Sequence, residues 1–153
     1  MAKPAGKCAF CGGPRLTKGH IWPDSFGKII PSDARYHEQK IDGFVTFESD
    51  IPGPPKWERV GTGPLQKRRP RNTCAKCNTG WMSKIEEAAL PAIKPLLVGE
   101  RTFLDLSSQQ KLASVLTLIS MRVELIAYGM RSIPKSEKDE LRKNPLPTPN
   151  WRI

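Results

Sequence analysis

Every cysteine of this chain falls in one of two Cys-x-x-Cys pairs, Cys8-Ala9-Phe10-Cys11 and Cys74-Ala75-Lys76-Cys77. A two-residue gap lets both sulfurs of a pair reach one ion from a tight knuckle, and two such pairs supply the four thiolates of a tetrahedral structural zinc site. Residues 12–73 separate the pairs, far more than a short zinc finger holds. That length is a weak objection. Stretching the loop from about 15 to about 62 residues costs only about 1.3 kcal/mol, against roughly 10–16 kcal/mol for a structural zinc at neutral pH. Disulfides or redox pairs are the other chemistries open to paired cysteines. The paired knuckles, and a Met1 to Phe10 segment with lysines but no apolar run, weigh against them.

Charge points to a second kind of chemistry. The 153 residues carry a formal +10, and the segment from Lys56 to Lys76 holds seven lysines and arginines against one acid, Glu58. Lys67, Arg68, Arg69 and Arg71 lie in the part that leads into the second cysteine pair, so the positive field sits next to the metal site. Lysine and arginine neutralise phosphates and release condensed counterions, which makes a polyanion the natural partner. A solvated basic loop that serves solubility is the plainer alternative.

Elements must hold these groups in place. Leu16 to Ile21 reads as a short strand with His20 near its end, stopped by Pro23. Residues 24–70 read mostly as an insertion, with candidate strands at Asp42 to Glu48 and around Trp57 to Val60. Thr79 to Leu90 reads as a helix with Trp81, Ile85, Ala88 and Ala89 on its apolar face, ended or kinked by Pro91 and Pro95. The clearest helix opens with Ser107 as N-cap and Gln110 in the capping-box position. Its stripe is Leu112, Val115, Leu116, Ile119, Val123, Ile126 and Met130. Gly129 and Pro134 mark its end, Ser136 to Arg142 adds a short charged helix, and alternating prolines make Asn144 to Ile153 extended across a surface. Trp22 and Trp81 read as core residues and His37 as an exposed loop residue.

The expected organisation is a single α+β domain. Residues 1–100 form a zinc-stapled core with its insertion at about 24–70, and residues 101–153 form a helical extension packed on it. Arg122 and Glu124 interrupt the longest apolar stretch, so no membrane span is expected and a cytoplasmic location is the default.

The order of motifs resembles the HNH endonuclease family. Cys-x-x-Cys is followed by Leu16-Thr17-Lys18-Gly19-His20-Ile21-Trp22-Pro23. Then come the basic run and Arg71-Asn72-Thr73-Cys74-Ala75-Lys76-Cys77-Asn78-Thr79-Gly80-Trp81-Met82-Ser83. The likeness is to a zinc-bearing branch in which Cys-x-x-Cys-Asn-x-Gly-Trp-Met-Ser follows a Leu-Thr-Lys-Glu-His-x-x-Pro type segment. It covers roughly residues 8–26 and 70–100.

The resemblance implies a ββα-metal nuclease core stapled by a treble-clef zinc, with a catalytic divalent ion, Mg2+ or Mn2+, held apart from it. Carried over residue by residue, His20 is the general base, Asn78 a ligand of the catalytic ion, and Asn72 the candidate for the middle position that orients the base's water. DNA phosphodiester hydrolysis leaving a 5′-phosphate and a 3′-hydroxyl is the implied reaction, with Lys67, Arg68, Arg69 and Arg71 on the backbone. The residue types suit these roles. Imidazole accepts and returns a proton near neutral pH, and an amide oxygen is a hard, neutral ligand that magnesium accepts.

Two positions depart from the family pattern. Gly19 stands where the family has an acid that binds the catalytic ion, leaving Asp24 or an acid of the insertion to replace it. Met82 occupies a place where some relatives carry a further metal-binding histidine. A catalytically lapsed zinc module that binds DNA or a protein partner is therefore the alternative reading. A third is a subunit of a larger phage or defence assembly, docking or self-associating through the 107–130 helix.

Overall fold

The computed structural model describes residues 6–29, 69–126 and 132–151. Most of the expected insertion, with its two candidate strands, lies outside the described residues, as do Lys67, Arg68 and His37. What is described is a mixed fold of several helices and one small sheet.

Strands β1 (Leu16–Thr17) and β2 (Thr73–Cys74) pair antiparallel, with Leu16 opposite Cys74 and Thr17 opposite Thr73. The expected strand from Leu16 to Ile21 is thus only two residues long. It ends early because Gly19 donates its N–H to the Pro70 carbonyl (3.3 Å), outside the ladder, and Pro23 begins a helix instead of merely ending a strand. Helix α1 (Asp24–Gly27) has Pro23 at its N-cap and buries Phe26 completely.

From β2 the chain turns directly into α2 (Ala75–Cys77), passes through one wider π-helical turn (Asn78–Met82), and continues as α3 (Ser83–Leu97). The expected end or kink at Pro91 and Pro95 is not where the helix stops, since both prolines lie inside α3. Each leaves the carbonyl four residues earlier without its N–H partner. Those carbonyls belong to Glu87 and Pro91, both exposed residues. Burial of Ile85, Ala89, Ala92 and Ile93 on the other side opposes the loss, at roughly 1.5–3 kcal/mol for each large side chain.

Helix α4 (Leu106–Glu124) begins one residue before the expected cap. Asp105 is the N-cap, accepting the Ser108 N–H at 2.7 Å; an ionised carboxylate three residues before an orphan N–H is a better acceptor than the Ser107 hydroxyl. The Ser108 amide and hydroxyl in turn hold the Asp105 carboxyl below its usual range.

The buried face of α4 also differs from the expected stripe. Val115 and Ile119 are buried as expected, but Leu118 and Met121 are fully buried and Val123 is 43% exposed; Met130 lies outside the described residues. Two neighbours explain the difference. Arg122 pairs with Glu86 of α3, and Glu124 pairs with Lys138 of α5 (Lys135–Lys143) at 2.8 Å. Residues two apart on a helix point in nearly opposite directions, so α4 is covered on more than one side. Helix α5 extends the expected Ser136 to Arg142 segment by one residue at each end. The following segment folds back on it, with Thr148, Asn150 and Trp151 all donating to the Glu137 carboxylate.

Removal of one partner of the Arg122–Glu86 pair has a definite expected cost. Arg122 is 5% exposed, and a buried charge left unpaired costs about 3–5 kcal/mol. Glu86→Ala, which leaves Arg122 buried and unpaired, is expected to lose about that much in urea unfolding while keeping its full metal content. Among the described residues no helix is long and apolar enough to cross a membrane.

Candidate metal centre

The first knuckle is shaped by its backbone. Cys8 N–H donates to the Gly13 carbonyl and Gly12 N–H to the Cys8 carbonyl, each at 2.8 Å. Gly12 has φ +72°, a left-handed conformation that glycine adopts without a Cβ clash. Gly13 N–H donates to the Cys11 sulfur at 3.4 Å. The second pair is placed differently, with Cys74 at the end of β2 and Cys77 at the end of the short helix that follows. The Ala9 N–H donates to the Asn72 carbonyl at 2.9 Å, joining the two knuckles beside the strands.

Four sulfurs from opposite ends of the described core therefore meet. The ligand atoms of Cys8, Cys11, Cys74 and Cys77 all lie within 4.8 Å of one another, and Cys11 Sγ is 3.5 Å from Cys74 Sγ. Zinc–sulfur bonds of about 2.3 Å in a tetrahedron set the sulfurs about 3.8 Å apart, so the cluster fits that ion. No disulfide joins them; all four are free thiols.

The thiols also show why a cation belongs there. At Cys8 burial raises the pKa, but the amides of Cys11, Cys74 and Phe10 and the Cys11 thiol outweigh it and hold the group at about 7. Burial raises Cys74. At Cys77 burial, joined by the neighbouring Cys11, Cys8 and Cys74 sulfurs, pushes the thiol up to about 12. Thiolates this close repel one another, so only a cation among them lets all four ionise. Trp81 opposes the rise at Cys77: its indole N–H is buried with no hydrogen-bond partner among the described residues and favours the nearby thiolate. The same ring packs edge-on against Phe10, with centroids 5.6 Å apart.

A second group of residues lies beside this centre. Gly19 is buried, and a Cβ built on it would sit 3.0 Å from Asn78 Oδ1. The carboxamide of Asn78 thus rests against the residue that immediately precedes His20. The His20 ring is largely buried, with 23% of its side chain exposed, and its Nε2 lies 3.6 Å from Asp24 Oδ1. Lys28 approaches the same carboxylate at 3.3 Å. Burial lowers the His20 pKa, Arg69 lowers it further, and Asp24 and Glu86 act in the opposite sense.

Arg69 and Arg71 are exposed and flank Pro70, the residue whose carbonyl holds Gly19. The end of the basic run that is described therefore lies at His20. Asn72 sits deeper. Its Oδ1 accepts the Thr73 hydroxyl at 3.1 Å, while its Nδ2 is buried with no partner among the described residues. Met82 is fully buried and takes a long contact from Arg122 Nη2 (3.5 Å).

Sequence reasoning did not find the Arg122–Glu86 pair behind Met82, because nothing in local spacing links residues 36 positions apart. The His20–Asp24 contact was not read from the sequence either, where Asp24 stood only as a replacement for the acid absent at Gly19. The chain matches no family model, no curated protein and no solved structure.

Proposed function

We propose that this chain is a metal-dependent endonuclease of HNH type, with a treble-clef zinc formed by Cys8, Cys11, Cys74 and Cys77. The observation that carries the reading is the contact of Gly19 with Asn78. It rests the Asn78 carboxamide against the residue that precedes His20, one position on from the Cys77 thiol of the four-cysteine cluster, while Arg69 acts on the His20 ring.

In this reading His20 is the general base. With Nε2 turned toward Asp24, the other ring nitrogen is assigned to the water, and a depressed pKa keeps the ring neutral and able to accept its proton. Asn78 offers a hard amide oxygen to Mg2+ or Mn2+, which when bound would neutralise charge on the phosphodiester. Arg69 and Arg71 hold the DNA backbone without reading bases. Asn72 ties the knuckles together through its carbonyl, which accepts the Ala9 N–H.

The test is nicking of supercoiled plasmid with magnesium or manganese, by this chain and its His20→Ala variant. Nicking by the parent chain that His20→Ala lacks supports the reading. Salt-sensitive DNA binding without nicking under any divalent ion would replace it with the lapsed zinc module, the reading that Gly19 favours. The same contact yields a further expected outcome. Gly19→Glu is expected not to raise nicking, because a Cβ there lies 3.0 Å from Asn78 Oδ1 and the carboxamide must give way by a few tenths of an ångström. A gain of nicking in Gly19→Glu would show that the missing acid matters more than the position of Asn78.

A further inference from the structure

Helices α3, α4 and α5 enclose an open groove of about 510 Å³ that takes no part in the chemistry above. Its volume falls within the range of about 300–1,000 Å³ typical of small-molecule sites. The Trp81 ring, Ile85, Leu141 and Leu146 give it an apolar lining. The Ser114 hydroxyl on its wall is already engaged with the backbone carbonyls of Gln110 and Pro145.

Charge makes the groove selective. Lys84, Lys111 and Arg142 also line it, and among the described residues no aspartate or glutamate does. Arg142 shares Asp139 at 3.5 Å, but that carboxylate is not part of the lining, and among the described residues Lys84 and Lys111 make no ion pair. An apolar body can enter such a groove and leave an anionic head among three cations. A neutral molecule of the same shape loses that attraction, and a cation is repelled.

We propose that this groove is a binding site for a small amphiphilic anion, a carboxylate or sulfonate carried on an aromatic or aliphatic body. The site shares Trp81 with the metal centre: the ring lines the groove while its N–H favours the Cys77 thiolate. It stands independently of the nuclease reading, because none of its residues is assigned a part in cleavage.

Two probes with one aromatic skeleton separate charge from hydrophobicity. Anilinonaphthalene sulfonate and its uncharged counterpart N-phenylnaphthylamine are titrated by fluorescence into the full-length, zinc-loaded chain and three variants. Ala88→Trp fills the groove, Lys84→Glu/Lys111→Glu reverses its charge, and Phe103→Ser removes a side chain that is 91% exposed elsewhere. The sulfonate is expected to bind one molecule per chain, at least tenfold more tightly than the neutral probe. Both groove variants should weaken it at least tenfold, and Phe103→Ser should leave it unchanged. Circular dichroism verifies the fold of each variant, and the surface charge reversal tests the site even if Ala88→Trp fails to fold. Equal affinity for the two probes, sulfonate binding untouched by the charge reversal, or loss of binding in Phe103→Ser would overturn the proposal.

Discussion

Cys77→Ser is expected to abolish stoichiometric zinc binding and, with it, the cooperative thermal transition of the chain. Three of the four thiols are buried, and they pack in the same core as Phe10, Met82 and Ile85. A structural zinc contributes an apparent binding free energy of roughly 10–16 kcal/mol at neutral pH, and the whole stability of a domain is about 5–15 kcal/mol. Losing the ion therefore removes as much as the fold has to spare. Metal analysis and near-ultraviolet circular dichroism on purified protein read the outcome, and a strong zinc chelator should reproduce it in the parent chain. A Cys77→Ser protein that melts at the parental temperature would show that the sulfurs meet without a metal between them.

The same centre sets a dependence on pH. With Cys8 held at about 7 and Cys77 pushed up to about 12 in the metal-free cluster, zinc must displace protons to bind. Affinity should fall steeply as the pH drops through and below neutrality. Glu86→Ala provides the contrast, since it loses stability but keeps zinc.

His20→Ala carries the second large effect, a fall in plasmid nicking of about 10²–10⁴-fold, the usual contribution of a positioned general base. Zinc content and the thermal transition should be unchanged, because the ring lies outside the thiol cluster. The pH profile adds a distinct signature. A base must be neutral to accept a proton; burial and Arg69 both disfavour the charged ring, so its pKa lies below the ordinary 6.5. The acid limb of the rate should accordingly have its midpoint below 6.5, and Arg69→Gln should move it upward. Equal nicking by the parent chain and His20→Ala would remove the imidazole from the mechanism altogether.

The metal centre was legible in the linear chain because thiolate ligation makes a strict local demand: two cysteines at a two-residue gap, twice. Long-range convergence of those pairs follows once an ion is present, since loop closure is cheap beside the binding energy. The helices from Ser83, Leu106 and Lys135 were legible for a similar reason, as apolar periodicity and capping residues are local signals.

Other features depended on neighbours distant in sequence. Pro91 and Pro95 look like helix ends, yet α3 runs through both, because its buried face outweighs two missing hydrogen bonds that fall on exposed residues. The α4 stripe was read for one partner, and the presence of both α3 and α5 buried a second side of it. Gly19 reads in one dimension as a lost acid. In three dimensions it is the residue against which the Asn78 carboxamide rests, with 3.0 Å between that oxygen and any Cβ placed there. The residue types of this chain determined which metal chemistry its cysteines can support, since that rests on ligand identity and spacing. Which side chains share the ground around His20 was decided by packing between segments some fifty to a hundred positions apart, and local spacing holds no record of such contacts.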